Sequence, residues 1–295
     1  MKMRWMGLAA ALLVAPMMLP AQAAGTGAAQ NSKQSAERPE LTGLAHVVLR
    51  VSDVDKEINF FGKMGFEEAF ANAQDGRTLE AYVKVNDQQF IEVEPSSGGN
   101  GTARALGMAN AAYESADLNA LNARYAAAKL KPTPVHKDGA GNPIFMVTDP
   151  DGRDAVFTQY VAGSRQMIDK GQHLGERRVS DVLMGFEMPV KDMKTAQKWY
   201  EALGFDAVSE GANVRLSLPA NPDLRIELHP VRTNDQVQIL FPVDDAKRAA
   251  DELHSAGLKV QRDKKLVFLR DPDGNAIVLM EAGEHSPRHL VPWKH

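Results

Sequence analysis

Residues 43–66 read GLAHVVLRVSDVDKEINFFGKMGF, and the fold follows from this stretch. His46 to Leu49 and Val51 supply the β-branched and aliphatic residues of a strand. Ser52 or Asp53 can cap a following helix, because a short oxygen side chain accepts hydrogen bonds from the free N–H groups of the first turn. Val54, Ile58 and Phe61 are spaced for one apolar helical face. Gly65 stands where a left-handed residue ends a helix. The stretch is therefore strand, cap, helix and stop in one run, with His46 seven residues before Asp53.

The run returns. Residues 184–205, MGFEMPVKDMKTAQKWYEALGF, align with it at an offset of 139, matching Asp192 to Asp53, Tyr200 to Phe61 and Gly204-Phe205 to Gly65-Phe66. Between the two copies, residues 110–130 (NAAYESADLNALNARYAAAKL) again read as strand and helix, with apolar Leu118, Leu121 and Tyr125. Residues 238–258 (QILFPVDDAKRAADELHSAGL) repeat that layout, with Asp245 matching Asp117. Each of these is followed by the sequence DPDG, at 149–152 and 271–274. Proline pre-sets one turn position and glycine supplies a positive φ, so DPDG between apolar runs reads as a hairpin. The flanking runs 144–147, 155–160, 266–269 and 276–280 are then paired strands. A repeat of this length is a duplicated domain rather than a solenoid unit. The chain resolves into four units, two in residues 41–161 and two in 181–282, with a connection at 162–180 and a tail at 283–295.

With 295 residues the chain has room for about two domains. A composition of 44% hydrophobic and 24% charged residues is that of a globular protein. The net charge of −4, with no lysine- or arginine-rich block, argues against a nucleic-acid partner. The absence of cysteine removes disulfides, thiolate metal sites and cysteine nucleophiles. Lys2 and Arg4, the apolar residues 5–20 and the small-x-small sequence Ala21-Gln22-Ala23 read as a cleavable signal peptide, residues 1–23. The apolar run is short and broken by Pro16 and Pro20, a poor spanning segment, so no stable membrane anchor is expected. Residues 24–40 read as a linker, and the expected location is outside the cytoplasm, periplasmic or secreted.

The strand with His46, the Asp-capped helix ending in Gly-Phe, the strand Ile91-Glu92-Val93-Glu94-Pro95 and the DPDG hairpins together resemble the vicinal oxygen chelate superfamily. That superfamily includes glyoxalase I, extradiol dioxygenases and bleomycin resistance proteins. The resemblance implies an α+β fold of two tandem domains, each built from two βαβββ modules that form a curved, cupped mixed sheet with helices outside. It also implies a divalent metal, Zn, Fe or Mn, in catalytic members, and no metal in the sequestering ones. Ligands in the superfamily come from the first and last strands of each module. Seven residues before the capping aspartates stand His46, Asn110, Gly185 and Gln238. The last-strand places fall on Glu92, Val156, Glu227 and Val278. The first domain thus offers His46 and Glu92 as metal ligands, with Asn110 doubtful and Val156 unable to coordinate. The second offers only Glu227 and Gln238. Two-domain extradiol dioxygenases hold iron through two His and one Glu in the C-terminal domain, and Gly185, Gln238 and Val278 supply none of these.

Glu92 also reads as a cleft carboxylate able to act as a general base beside His46. Glu114 shares strand parity with Asn110, and Tyr160 with Val156, so these residues are expected to face the same cleft. Asn110 and Tyr160 are candidates for ligand binding and Glu114 for catalysis. Two functions follow from this set: a metal-dependent lyase or isomerase acting on a small organic molecule, or a metal-free protein that binds such a molecule without turnover. The module pairing also leaves room for a homodimer. Gly98-Gly99-Asn100-Gly101 lacks dinucleotide-loop spacing and reads as a joint. His285, His289 and His295 read as parts of a solvated tail. Arg165, His173, Glu176, Arg177 and Arg178 crowd the interdomain connection; they are expected to brace the domains by charge pairs, with reaching into a cleft as the alternative.

Overall fold

The computed structural model describes residues 41–97, 103–232 and 236–283. The expected signal peptide and the expected linker to residue 40, the glycine-rich stretch 98–101 and the histidines of the tail lie outside the described residues.

The opening stretch forms β1 (Leu41–Val51) and α1 (Val54–Lys63). Asp53 is the cap, accepting from the Lys56 N–H (3.1 Å), and Gly65 takes φ +87°. The other aspartates of the repeat do the same: Asp117, Asp192 and Asp245 accept from Ala120, Thr195 and Arg248. Ser52, the alternative cap, is engaged elsewhere. The buried face of α1 is also wider than the apolar spacing suggests, for it carries Glu57, Phe60 and Phe61 while Val54 and Ile58 are half-buried.

After α1 come β2 (Glu67–Gln74), β3 (Arg77–Lys84) and β4 (Phe90–Pro95), which complete the first module. The second comprises β5 (Gly107–Ser115), α2 (Leu118–Ala127), β6 (His136–Lys137), β7 (Pro143–Thr148) and β8 (Asp154–Thr158). A short helix, α3 (Arg165–Ile168), lies in the connection. The second domain repeats the order with β9 (Gly185–Val190), α4 (Met193–Leu203), β10 (Asp206–Glu210), β11 (Asn213–Leu218) and β12 (Asn221–Pro230). It ends with β13 (Gln238–Val243), α5 (Ala246–Ser255), β14 (Gln261–Asp263), β15 (Leu266–Arg270) and β16 (Ala276–Glu281).

Each domain is one eight-stranded mixed sheet, ordered β2-β3-β4-β1-β5-β8-β7-β6 and β10-β11-β12-β9-β13-β16-β15-β14. Within a module the first strand pairs in parallel with the last, setting Val48 beside Glu92 and Ala112 beside Val156. Modules join through their antiparallel first strands, which sets His46 opposite Ala112 and Val48 opposite Asn110. This is an α+β architecture of two cupped sheets.

The helix-covered faces of the two sheets share one apolar core. Phe66 meets Phe241 at 5.5 Å and Tyr113 meets Phe205 at 5.2 Å between ring centroids across the domain boundary. The Tyr125 hydroxyl donates to the Leu203 carbonyl (2.8 Å), which also accepts from Arg124 (3.0 Å).

The DPDG turns serve two ends. Asp149 accepts from the Asp151 and Arg153 N–H groups, and Asp271 from those of Asp273 and Asn275, so each first aspartate folds its own hairpin. The third residue then reaches the other domain. Asp151 accepts from the Lys191 N–H (3.0 Å), and Asp273 accepts from the Ser52 N–H and hydroxyl (both 2.6 Å). Ser52 and Lys191 are equivalent at the offset of 139, so the two clamps are related by the internal repeat.

Candidate functional site in the first-domain cup

Period-two alternation sends one set of side chains from each strand into the concave face. From β1 this set includes His46, and from β4 Phe90 and Glu92. From β3 it includes Glu80, Tyr82 and Lys84, and from β2 Phe70. The aromatic members pack as a group: Phe70 stacks on Tyr82 at 4.6 Å, and Phe90 meets Tyr160 edge-on at 6.2 Å. Ala45, Ala112 and Val156 form the adjoining wall with Ile144 and Met146.

His46 and Glu92 lie at the centre, 5% and 6% exposed, with Nε2 of the imidazole 3.2 Å from Oε2 of the carboxylate. The His46 ring stands edge-on to Tyr82, centroids 6.0 Å apart, and its Nδ1 is buried without a partner. Burial acts to raise the Glu92 carboxyl, but the hydrogen bond and charge of His46 and the Tyr82 hydroxyl outweigh it and hold Glu92 below its ordinary range. Beside it, burial and the charge of Glu92 push Glu80 up to about 7. The Glu80 carboxylate accepts from the Asn72 amide, whose oxygen in turn accepts from Arg165. Asp138 faces the same group from the loop after β6, its carboxyl raised by burial.

Four of the five residues singled out from the sequence share this cup. Tyr160 is in the aromatic wall with its hydroxyl buried and unpartnered, and burial together with Glu114, Asp138 and Glu92 raises that hydroxyl's pKa. Glu114 lies on the Tyr160 side, its carboxyl raised by burial against the opposing hydrogen bond of Thr42. Asn110 is set apart. It stands diagonal to His46 across the β1–β5 ladder, shares no hydrogen bond with it, and lines a separate cavity of about 30 Å³ with Trp199, Tyr200 and Met188. Ala112 and Val156, which complete the second module's side of the cup, offer no donor atom.

Sequence reasoning passed over Glu80, Tyr82, Asn72 and Asp138. The signal for the first two was the alternation of Thr78, Glu80, Tyr82 and Lys84, which puts polar and aromatic side chains on one face of a strand. In the connection, Arg165 reaches into the first-domain cup, while Arg178 and His173 pair within the connection itself. Arg165 lies 4.7 Å over the Phe70 ring and donates to the Ala71 carbonyl (2.8 Å), and Arg178 holds Asp181. Buried Lys84 holds Asp169 (2.8 Å) and Asp87 (2.8 Å), and His173 caps the other side of Asp169.

The second cup is built differently. Gly185 replaces the histidine with φ +153°, and a Cβ there would sit 1.8 Å from the Arg225 carbonyl oxygen. Glu227 is paired with Arg225, while Glu187 accepts from Gln238 (3.2 Å) and lies 3.7 Å from His229. Leu240, Phe268, Val278 and Met280 fill the rest.

A family model described as the Glyoxalase/Bleomycin resistance protein/Dioxygenase superfamily matches residues 43–157 and 182–279. Comparison with curated proteins finds no match. Among solved structures, a catechol 2,3-dioxygenase superposes with a TM-score of 0.62 at 15% identity, over 85% of this chain and 91% of its own. The 2,3-dioxygenase LapB from Pseudomonas sp. KL28 gives 0.62 at 16%, over 85% and 96%. A Mn(II)-bound glyoxalase from Novosphingobium aromaticivorans gives 0.61 at 17%, over 83% and 84%. At these identities the likeness is one of fold.

Proposed function

Because the chain belongs to the Glyoxalase/Bleomycin resistance protein/Dioxygenase superfamily, we propose that its first-domain cup binds a small organic molecule next to a divalent metal, Zn, Fe or Mn, and acts as a lyase or isomerase of the glyoxalase type. The observation that carries this is the buried His46–Glu92 pair at the centre of an aromatic cup. The donors suit such an ion, since neutral imidazole and carboxylate both ligate these metals. An orphaned ring nitrogen on His46 is consistent with an imidazole turned toward a group other than protein.

His46 and Glu92 would hold the ion, which when bound supplies Lewis-acid polarisation of a carbonyl or enolate oxygen. Phe70, Tyr82 and Phe90 wall the cup and keep water from the reacting carbon. The Tyr160 hydroxyl, buried without a partner, donates to a substrate oxygen. Glu114, its carboxyl raised by burial, takes a proton from the substrate at its carboxylate oxygen and returns it. An extradiol dioxygenase is disfavoured, because backbone fills the space at Gly185 where an iron-binding histidine would start.

A second reading rests on Ala112 and Val156. With no donor from that wall, the cup could serve as a metal-free binding site without turnover. Metal analysis of untagged full-length protein beside His46→Ala and His46→Gln separates the two. Near-stoichiometric Zn, Fe or Mn, lost in both variants while circular dichroism stays native, supports the enzyme. No metal in any of the three after incubation with divalent ions sinks it and leaves the binding protein. Export is part of the same proposal, and the N-terminus of material recovered from the periplasm or medium is expected at Ala24.

A further inference from the structure

Beyond Ala112 and Val156 the second module's side of the cup changes character. One alternation further along each strand stand Glu114 on β5 and Thr158 on β8, direct neighbours in the parallel ladder. Thr158 is 0% exposed, and its hydroxyl has no hydrogen-bond partner. Ile144, a member of the cup wall, flanks it on β7. Two residues on, the Tyr160 hydroxyl is buried and equally unpartnered. Burial first, and then the charge of Glu114, raise the pKa of that hydroxyl, so the carboxyl and the two hydroxyls belong to one neighbourhood.

A buried hydroxyl without a partner costs stability, and valine would keep the branched shape at a strand position without that cost. The duplicated domain has an apolar solution in place. At the offsets of the repeat, Glu114 corresponds to Pro242 and Thr158 to Met280, and these two are neighbours in the same ladder. Met280 packs there with Leu240, Phe268 and Val278, which fills the space. The fold therefore does not call for polar groups at this end of the cup. The first domain nevertheless keeps a carboxyl and two hydroxyls, with no partner for either hydroxyl among the described residues.

We propose that Thr158, with Tyr160 and Glu114, forms a recognition subsite for a hydroxyl group on a neutral organic ligand. The subsite lies two residues along β5 from Ala112, the residue opposite His46, and so at the end of the cup away from that imidazole. The inference rests on the reading of the cup as a small-molecule site and not on its metal. Each protein hydroxyl can donate to the ligand or accept from it, and the Glu114 carboxylate accepts the ligand's proton. A ligand that ends in an alcohol or a phenol matches this set. One that ends in a carboxylate meets the charges of Glu114, Asp138 and Glu92, which all act at Tyr160, and is repelled. Thr158 sets the preference, because an analogue without the hydroxyl leaves buried polar groups unpaired.

The test is titration of the full-length protein, held in chelator, with three probes built on one ring: toluene, 4-methylphenol and 4-methylbenzoate. Binding is read from methionine methyl NMR signals, assigned with Met146→Leu. Met146 lines the cup wall, whereas Met108 and Met188 line the cavity between the domains. The Met146 signal is expected to respond, with 4-methylphenol bound about 10-fold tighter than toluene and 4-methylbenzoate bound most weakly. Thr158→Val is expected to weaken 4-methylphenol about 5-fold or more, to leave toluene unchanged, and to melt at or above the parent's temperature. Thr158→Ser should restore the phenol preference, and Tyr160→Phe should reduce it as Thr158→Val does. Binding of toluene and 4-methylphenol without preference, or a preference kept in Thr158→Val, overturns the subsite and leaves the small-molecule cup standing. A Thr158→Val variant that melts well below the parent puts the hydroxyl in the fold's own hydrogen bonding and overturns the subsite too. No response of Met146 to any probe overturns both the subsite and the cup.

Discussion

Replacing Glu57 by glutamine is expected to stabilise the protein, and to do so more as pH rises. Glu57 sits in the first turn of α1, is 0% exposed, and has neither carboxylate oxygen paired with a donor. The groups facing it belong to the second domain's DPDG turn, Asp271 and Asp273. In the repeat-related clamp the equivalent of Asp271 is Asp149, which is neutralised by Arg153 (3.0 Å); here the residue at that place is Asn275. Alanine, Ala196, stands where Glu57 does. Burial first, then the charge of Asp271, pushes the Glu57 carboxyl from 4.5 to about 9. The folded protein therefore holds this proton at neutral pH while the unfolded chain releases it. A carboxyl raised in this way gives its full stability below pH 4.5 and loses it steadily as pH climbs to 9, at about 1.4 kcal/mol per pH unit. At pH 7 the accumulated cost is about 2.5 units of pH, or ~3 kcal/mol. Glutamine keeps the shape and a donor for Asp271 without that cost. Urea denaturation of parent and Glu57→Gln at pH 4.5, 7 and 9 is the assay. Curves should nearly coincide at pH 4.5 and separate progressively above it. A pH-independent difference, or a variant less stable than the parent at pH 7, would refute the reasoning.

Other substitutions probe separate parts of the structure. Gly185→Ala forces a Cβ to within 1.8 Å of the Arg225 carbonyl oxygen at a positive φ, and is expected to cost more than ~3 kcal/mol, read as a fall in melting temperature. Lys84→Met leaves Asp169 and Asp87 without their buried cation and should cost about 3–5 kcal/mol in denaturant titration, with a native-like spectrum at low temperature. Tyr125→Phe removes one of two donors to the Leu203 carbonyl between the domains; since Arg124 remains, the loss should stay near 1 kcal/mol.

What the sequence makes legible is whatever depends on residues close along the chain. An aspartate three residues before the N–H it caps, or a DPDG turn that folds on its own first side chain, needs no tertiary information. Four capped helices and two such turns, repeated in register, are enough to identify the duplication and the cups it builds. His46 and Glu92 follow from the family resemblance, which puts ligands on the first and last strands of a module, with the repeat marking where those strands lie. Glu80 does not follow in this way, because its place beside Glu92 depends on the β3–β4 register, which sets Tyr82 opposite Glu92 and Glu80 one step along. Ser52 could be read as a cap only while the other domain was out of view; with it, the hydroxyl belongs to Asp273. Glu57 is the extreme case. Locally it is an acidic residue in a helix's first turn, an ordinary exposed position, and only the opposing DPDG turn makes it buried.

Charge balance explains why chemistry is assigned to one cup and not to both. In the second domain the two buried glutamates of the cup each meet a partner from their own sheet: Glu227 has Arg225, and Glu187 has Gln238 and His229. The remaining volume is aliphatic and aromatic. Such a cup is closed electrostatically, and a cation entering it would have to displace a guanidinium. In the first domain Glu94 is matched by Arg50 and Arg104 at the rim, but further in Glu92 meets a single imidazole, and its neighbour Glu80 meets a neutral amide and is pushed up to about 7. The imbalance is held in place by neutral groups, the Asn72 amide and the Tyr82 hydroxyl, which orient the carboxylates without neutralising them. Burying two carboxylates against one histidine costs stability. The divalent cation proposed for this cup would offset that cost directly, and the duplicated domain, which lacks the imbalance, shows that the fold itself does not require it.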